Sequence, residues 1–312
     1  MRILVAGEGL IDFLPIKECR EGMAFLAKPG GSPLNVAVGL SRLGVKTGFL
    51  GKLSFDPFGE LLFSYLSENG VDLTFLARGN EPTALSFVHL ESGGEPRFSF
   101  YGCGTADASL TWEEVPDKLP ESIKAFHLGS LAMVREPCAT ALAQLLEREY
   151  RTRLISFDPN IRPEQMSNQR EYQKKFSRWL PMIDLLKLSQ LDLNYISPNA
   201  PEQEVVQNWL SQGPKAIIVT LGRGGARGYT RSASVEVKAQ PVKVVDSVGA
   251  GDAFTAGFLA ALYYLGRLDK RGIENLDNQT LERALRFAIR AAALTCTRIG
   301  ADPPRLSELG EP

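Results

Sequence analysis

Short apolar and β-branched runs alternate with longer stretches of helical character along most of this 312-residue chain. A chain of that kind buries its strands on both faces and carries its helices outside. It therefore reads as α/β with a mostly parallel central sheet. Strands are expected at Ile3–Gly7, Leu154–Phe157, Ile183–Leu188 and Ala216–Thr220. Helices are expected at Glu136–Tyr150, Pro201–Gln212, Ala250–Leu265 and Leu281–Arg298. Two more are well punctuated. Ser32-Pro33 opens a run that ends at Leu43-Gly44, and Asp56-Pro57 opens one that ends near Asn69-Gly70. In both, a capping residue precedes a proline in the first turn and a glycine follows the last.

Two stretches break the rhythm. Leu85–Leu90 and Arg97–Tyr101 alternate apolar and polar residues around Ser92-Gly93-Gly94, a hairpin signal. The segment Phe13–Pro29 is irregular. Together they read as a small sheet projecting from the main body. The chain is then one domain, 1–312, with a β appendage from about 13–29 and 83–105.

Hydrophobic residues make up 44% and charged residues 23%, the balance of a soluble globular protein. The formal net charge is −1 and no basic tract stands out, so neither nucleic acid nor an anionic membrane is an expected partner. The first apolar run is too short for a signal peptide. Cys19, Cys103, Cys138 and Cys296 are widely spaced, as in a reduced cytoplasmic protein without a disulfide framework or zinc site. His89 and His127 sit in strand-like surroundings that fit packing better than metal ligation.

The chemistry concentrates in Asp246-Ser247-Val248-Gly249-Ala250-Gly251-Asp252. An extended apolar run, Val242 to Val245, precedes it and a helix of small residues follows. A Gly-Ala-Gly turn at a helix start leaves backbone N–H groups unpaired at the positive helix end, which suits a phosphate. Asp252, on the rim, is either a general base for a hydroxyl that attacks phosphorus or a cap for the helix donors. Near the N-terminus, Asp12 follows the first strand, and Gly30-Gly31 leads into a helix bearing Asn35 in its first turn. That set suits a ligand with several hydroxyls, or else simple turn chemistry. A third cluster, Asp158-Pro159-Asn160-Ile161-Arg162, offers a guanidinium to phosphate oxygens, to a polar substrate or to an ion pair. Gly222-Arg223-Gly224-Gly225 is a tight turn or a place of close approach to a nucleotide. No Walker-type P-loop is present, and Gly7-Glu8-Gly9 lacks the third glycine of a dinucleotide fingerprint.

Gly30-Gly31-Ser32-Pro33-Leu34-Asn35-Val36-Ala37 resembles the N-terminal signature of ribokinase-like (PfkB) sugar kinases, and Asp246–Asp252 resembles their C-terminal one. The two stand in the right order at opposite ends of the chain. Gly7–Phe13, Phe126–Ser130 and Phe157–Pro163 look most like bacterial fructokinases. The resemblance implies a three-layer α/β/α domain with a β-sheet lid, ATP as donor, magnesium, and K⁺ as a monovalent cation. It implies Asp252 as base, with Gly249, Ala250 and Gly251 as anion hole and Arg162 near the sugar or the moving phosphoryl group. Asp12, Gly30, Gly31, Asn35 and Asn160 would hold the sugar. Ser189, Thr220, Gly222 and Gly225 would serve the nucleotide, together with Gly249 and Gly251. Asp192 would act on the metal through water, and Asp246 on the monovalent cation. The expected partners are a small-molecule sugar and ATP, with a homodimer formed through the lid. Fructose is the expected acceptor. 2-Keto-3-deoxygluconate kinase, aminoimidazole riboside kinase and a catalytically silent sugar-binding regulator remain as alternatives. Four positions depart from the family pattern: Ser247 for the usual Thr, Asp192 for Glu, Ile289 where an Asn often faces adenine, and Gly102 where many fructokinases carry Arg.

Overall fold

The computed structural model describes residues 2–16, 22–90, 96–166 and 168–312. From the N-terminus, β1 (Ile3–Ala6), β2 (Leu10–Ile16) and β3 (Ala24–Gly30) lead into α1 (Ser32–Arg42). Next come β4 (Thr47–Ser54), α2 (Pro57–Glu68), β5 (Asp72–Gly79), β6 (Leu85–Leu90) and β7 (Pro96–Tyr101). They are followed by β8 (Ala125–Gly129), α3 (Cys138–Glu149), β9 (Leu154–Asp158) and α4 (Gln169–Trp179). β10 (Leu185–Ser189), α5 (Gln190–Ile196), α6 (Glu202–Gln212), β11 (Ala216–Thr220), β12 (Ala226–Thr230) and β13 (Ser234–Val237) continue the chain. α7 (Ala250–Tyr264), α8 (Lys270–Glu274), α9 (Asn278–Thr295) and α10 (Leu306–Leu309) complete it.

Nine strands form one sheet in the order β13-β12-β11-β10-β9-β8-β1-β4-β5. From β5 to β11 every neighbour is parallel; β12 and β13 extend one edge antiparallel. Alternate residues of each strand pack into different cores. Ile3, Val5 and Ile218 join the helices α1, α2, α7 and α9. Leu4, Ala6, Ile217 and Val219 join α3, α4, α5 and α6. That period of two yields the three layers foreseen from the sequence.

The second sheet has the order β3-β2-β6-β7. β2 runs parallel to β6, and the other two pairs are antiparallel. Phe13, Phe25 and Phe87 interlock on it, with Phe13 stacked on Phe87 at 4.7 Å. The segment that reads as irregular in sequence is thus mostly β2 and β3. The expected turn at Ser92-Gly93-Gly94 lies outside the described residues, as do Cys19 and the rest of 17–21.

Several boundaries differ from expectation for local reasons. Ser32 does not cap α1. Gly31 is the N-cap, at φ 99°, and the Ser32 hydroxyl is bonded elsewhere. Val242–Val245 is not a strand: Val245 N donates to Cys296 O at the end of α9, and the segment lies exposed along a cleft. The strand expected from Ile183 starts at Leu185, because Leu180–Met182 forms a 3-10 turn around Pro181. His127 is buried, with Nδ1 2.9 Å from Ser156 Oγ, and burial pushes its pKa down to about 3. Cys103, Cys138 and Cys296 are free thiols.

Asp56 does cap α2, accepting from Gly59 N at 2.7 Å, and it also accepts from Thr83 N and Thr83 Oγ1 in the run into β6. Loss of such a cap costs about 1–2 kcal/mol. Asp56→Ala is expected to lower unfolding free energy by at least that amount in urea titrations. A change below about 0.5 kcal/mol would show the cap to be dispensable.

Candidate active site

α1 and α7 both start at the carboxyl-terminal edge of the large sheet, and their first turns meet. Asp252, in the first turn of α7, is 8% exposed. Ser32 Oγ donates to its Oδ1 at 2.7 Å, and Asn35 Nδ2 donates to its Oδ2 at 2.8 Å. The partners lie 220 and 217 residues away in sequence, so the two signature segments form one site. The sequence reading of Asn35 as a hydroxyl-binding group requires revision in part. Its amide nitrogen serves Asp252, while its Oδ1 is buried without a hydrogen-bond partner and remains an acceptor for a ligand hydroxyl.

The two glycines of the Gly-Ala-Gly turn do different work. Gly249 is the N-cap in left-handed conformation, φ 75°, and a Cβ there would meet Ala301 at 2.5 Å. Gly251 is unlike it: a Cβ would come no closer to the protein than 3.4 Å, to Lys187 Nζ. Packing does not demand glycine at 251, and the bare backbone leaves room for an anion. Ala253 N starts the helix ladder on Gly249 O, so the N–H groups of Gly251 and Asp252 have no intrahelical carbonyl.

Beside this turn runs a cleft of about 1310 Å³, ample for a nucleoside triphosphate. Thr220, Gly222, Arg223 and Gly225 line one side, and Ala250 and Gly251 the end. Ile289, Ala292 and Cys296 of α9 face Val242 and Val244 across its apolar part. Gly222 and Gly225 are joined by Gly225 N donating to Gly222 O, which closes the turn after β11.

Asp12 on β2 is 8% exposed; burial pushes its carboxyl up to about 6, opposed by a hydrogen bond from Ser86. It lies over Gly30, and Gly31 follows with its backbone against Glu8 O. Asn160 has φ 39° and donates through Nδ2 to Ser130 Oγ at 3.5 Å. Arg162 is exposed and folds back on its own loop, with Nη1 donating to Asn160 Oδ1 at 2.8 Å. The residues that the family resemblance assigns to metal and nucleotide are more heavily engaged. Ser189 and Asp192 form the capping box of α5, and Asp192 also accepts from Ile161 N at 2.8 Å. Both Asp192 oxygens therefore hold protein donors, which brace the loop carrying Asn160 and Arg162. Asp246 accepts from Val248 N and Gly300 N and ties the 246–252 turn to the 300 loop. Among the described residues no group of three or more His, Cys, Asp or Glu could hold a metal ion.

Sequence reasoning missed three groups. Lys187 on β10 pairs with Asp158 at 2.7 Å, both almost fully buried, and Thr255 Oγ1 adds a 3.4 Å hydrogen bond to the same carboxylate oxygen. Burial pushes Asp158 up to about 6 against the pull of Lys187. Burial would lower Lys187, but Asp158, Asp192 and Asp252 outweigh it and hold the ammonium charged. Breaking such a pair strands a buried charge, at about 3–5 kcal/mol. A lysine inside the apolar strand Leu185-Leu186-Lys187-Leu188 was the available signal. The second group is Arg135. Its guanidinium lies 3.9 Å over the Phe100 ring, donates to Gly102 O and Gln165 Oε1, and stands 3.8 Å from Asp107. It occupies the space that a side chain at Gly102 would fill. The third is Glu8, 2% exposed, which accepts from Ala132 N; burial pushes it up to about 7.

A match to the model of the pfkB family carbohydrate kinases spans residues 2–308. The chain belongs to that family. It is 36% identical to a fructokinase of Rhizobium leguminosarum bv. trifolii over 279 residues, covering 89% of this chain and 85% of the relative. A fructokinase from Xylella fastidiosa with bound ATP superposes with a TM-score of 0.90 at 34% identity, covering 99% of this chain and 96% of that one. A double-mutant fructokinase from Vibrio cholerae, in fructose, ADP and potassium ion bound form, superposes with a TM-score of 0.84 at 28% identity, covering 96% and 93%. No helix among the described residues is long and apolar enough to cross a membrane.

Two predictions follow from the turn and from Glu8. Gly251→Ala should fold with an unchanged melting temperature and lose kinase turnover, whereas Gly249→Ala should melt lower. Equal melting losses in both variants would refute the division of roles. Glu8 binds its proton more tightly folded, at about 7, than unfolded, at 4.5. Its contribution to stability is therefore full below 4.5 and falls as pH rises toward 7. Glu8→Gln should remove that loss, raising stability at pH 8 relative to pH 5 by on the order of 1–3 kcal/mol. Parallel pH–stability curves for the two proteins would sink the assignment.

Proposed function

We propose that this protein is an ATP-dependent fructokinase that makes fructose 6-phosphate. The observation that carries the reading is the Asp252 carboxylate, held by Ser32 and Asn35 at the junction of the open Gly251 turn and the hydroxyl-binding side. The similarity to fructokinases on both sequence and structure supports fructose as acceptor. Asp12, Asn35 Oδ1, the Gly30-Gly31 backbone and Asn160 anchor sugar hydroxyls. Asp252 takes the proton of the attacking hydroxyl as its oxygen bonds to the γ-phosphorus. The N–H groups at Gly251 and Asp252 meet the charge that grows on the phosphoryl oxygens. Arg162 lies near enough to Asp12 for its charge to oppose the upward push of burial on that carboxyl, and in this reading it reaches from its own loop to the substrate. Thr220, Gly222 and Gly225 border the nucleotide.

Mg²⁺ would be carried chiefly by the nucleotide phosphates and water, because both Asp192 oxygens already hold protein donors. There it would neutralise phosphate charge. Asp246 holds its loop against Gly300, which is where a K⁺-dependent rate would originate. In this reading the β3-β2-β6-β7 sheet is a lid over the sugar of a single 1–312 domain. Its exposed Ile16, Met23 and Leu26 fit a homodimer face.

The test is a coupled ADP assay with ATP, Mg²⁺ and a panel of fructose, 2-keto-3-deoxygluconate and aminoimidazole riboside. Fructose should exceed the keto acid at least tenfold in kcat/KM, about 1.4 kcal/mol. Asp252→Asn should cut kcat by about 10²–10⁴ with sugar KM nearly constant. Turnover of the keto acid above fructose would reassign the substrate. A variant with half the normal kcat would remove Asp252 as base.

A further inference from the structure

Lys187 stands where the strand pattern calls for an apolar side chain. On β10, Leu185 packs to the α7 side of the sheet and Leu186 and Leu188 to the other, so Lys187 faces α7. On β9 the same alternation turns Asp158 to that side, and the register that pairs Leu185 with Ser156 and Leu186 with Phe157 sets Lys187 beside Asp158. The lysine side chain is 8% exposed. An ammonium has three donors, and Asp158 Oδ2 takes one at 2.7 Å. The nitrogen comes within 3.4 Å of the point a Gly251 Cβ would occupy, and Gly251 lines the cleft. Among the described residues, beyond the local backbone and chain neighbours of Gly251, no other heavy atom lies within 4 Å of that point. The space kept open by the glycine is thus bordered by backbone N–H groups and by one buried cation.

A structural ion pair alone is a poor explanation, since apolar residues of similar volume stabilise such places as well or better. A fixed ammonium next to a phosphate turn has a specific use: it needs no reorganisation when charge moves. We propose that Lys187 is a catalytic residue whose ammonium contacts the transferred phosphoryl group. This rests on the sugar-kinase reading. In the step, the sugar hydroxyl oxygen bonds to the γ-phosphorus and its proton passes to Asp252. The bond from that phosphorus to the β–γ bridging oxygen breaks, and its electron pair leaves with ADP. Lys187 gives up no proton; it meets the phosphoryl oxygens from the sheet side while the Gly251 N–H meets them from the helix. Asp158, Asn160 N and Thr255 Oγ1 make it a positioned cation, with Asp158 Oδ1 held by Asn160 N at 3.2 Å.

Lys187→Met alone would strand the Asp158 carboxylate and is expected to melt lower. The deciding protein is therefore Lys187→Met/Asp158→Asn, which removes both charges at similar volume. Calorimetry would give its affinity for ADP and for a non-hydrolysable ATP analogue, beside the melting temperature and the kcat and KM for fructose. ADP affinity and sugar KM should stay within about twofold. Affinity for the analogue should fall about tenfold or more and kcat about 10²–10³, the scale for removing one preorganised charge-stabilising group. Asp158→Asn alone, which keeps the ammonium, should retain the preference for the analogue over ADP. A double variant with normal kcat, or with the wild-type ratio of analogue to ADP affinity, would overturn the proposal. So would loss of that preference in Asp158→Asn alone. Should the wild-type protein phosphorylate no sugar, the kinase reading fails by itself, while the affinity ratio still reports whether Lys187 meets the terminal phosphate.

Discussion

The carboxylate of Asp252 joins two helix starts that are otherwise independent. It accepts one hydrogen bond from each of Ser32 and Asn35 in the first turn of α1 while sitting in the first turn of α7. Both helix ends are positive, so a negative charge between them is favoured from two directions. A carboxylate buried without such donors would be costly. The arrangement fixes α1 against α7, and α7 in turn packs along α9, which walls the cleft. The Gly251 turn, the first turn of α1 and the apolar side of the cleft thereby take their relative positions from one side chain.

Polar groups are crowded along one edge of an otherwise apolar sheet. Glu8 lies just past β1, Asp158 ends β9, Lys187 lies two residues before the end of β10, and Asp192 sits in the first turn of α5. All are less than 9% exposed. Strands of a parallel sheet end together, and the turns between them and the helices leave a crevice at that edge. Burying several ionisable groups there works against stability, as the raised carboxyls of Glu8 and Asp158 record. The opposite edge and the body of the strands are filled with Leu, Ile, Val and Phe, which carry the stability.

Much of this was legible in the sequence. The alternation of runs indicated the parallel sheet, because strand periodicity and helix punctuation are local signals. The glycine turn that opens α7 was legible because glycines at a helix start have a direct structural meaning. Ser32 was misread because its local pattern is that of a cap, and only the distant Asp252 gives its hydroxyl another acceptor. That 13–29 joins a small sheet was read, but the bounds of β2 and β3 were not, because Pro15 and Pro29 interrupt the alternation, and the pairing of β2 with β6 comes from far along the chain. The extended apolar run Val242–Val245 joins neither sheet, and Val242, Val244 and Val245 border a cleft. Arg135 was invisible as a site neighbour, since only the fold brings it onto Phe100 and into the gap at Gly102.

The chain passes from β1 in the large sheet to β2 in the small one through Gly7-Glu8-Gly9 alone. Asp12 therefore belongs to the small sheet, whereas Asn35 and Asp252 lie on helices packed against the large one. The proposed hydroxyl-binding set is divided between the small sheet and the first turn of α1. A sugar that touches both Asp12 and Asn35 is a bridge, and it rewards the one arrangement in which both reach it. Under the proposed function, an acceptor that reaches Asp12 and Asn35 together would tie the small sheet to the helix start that holds Asp252, so the size of the acceptor becomes part of the selection.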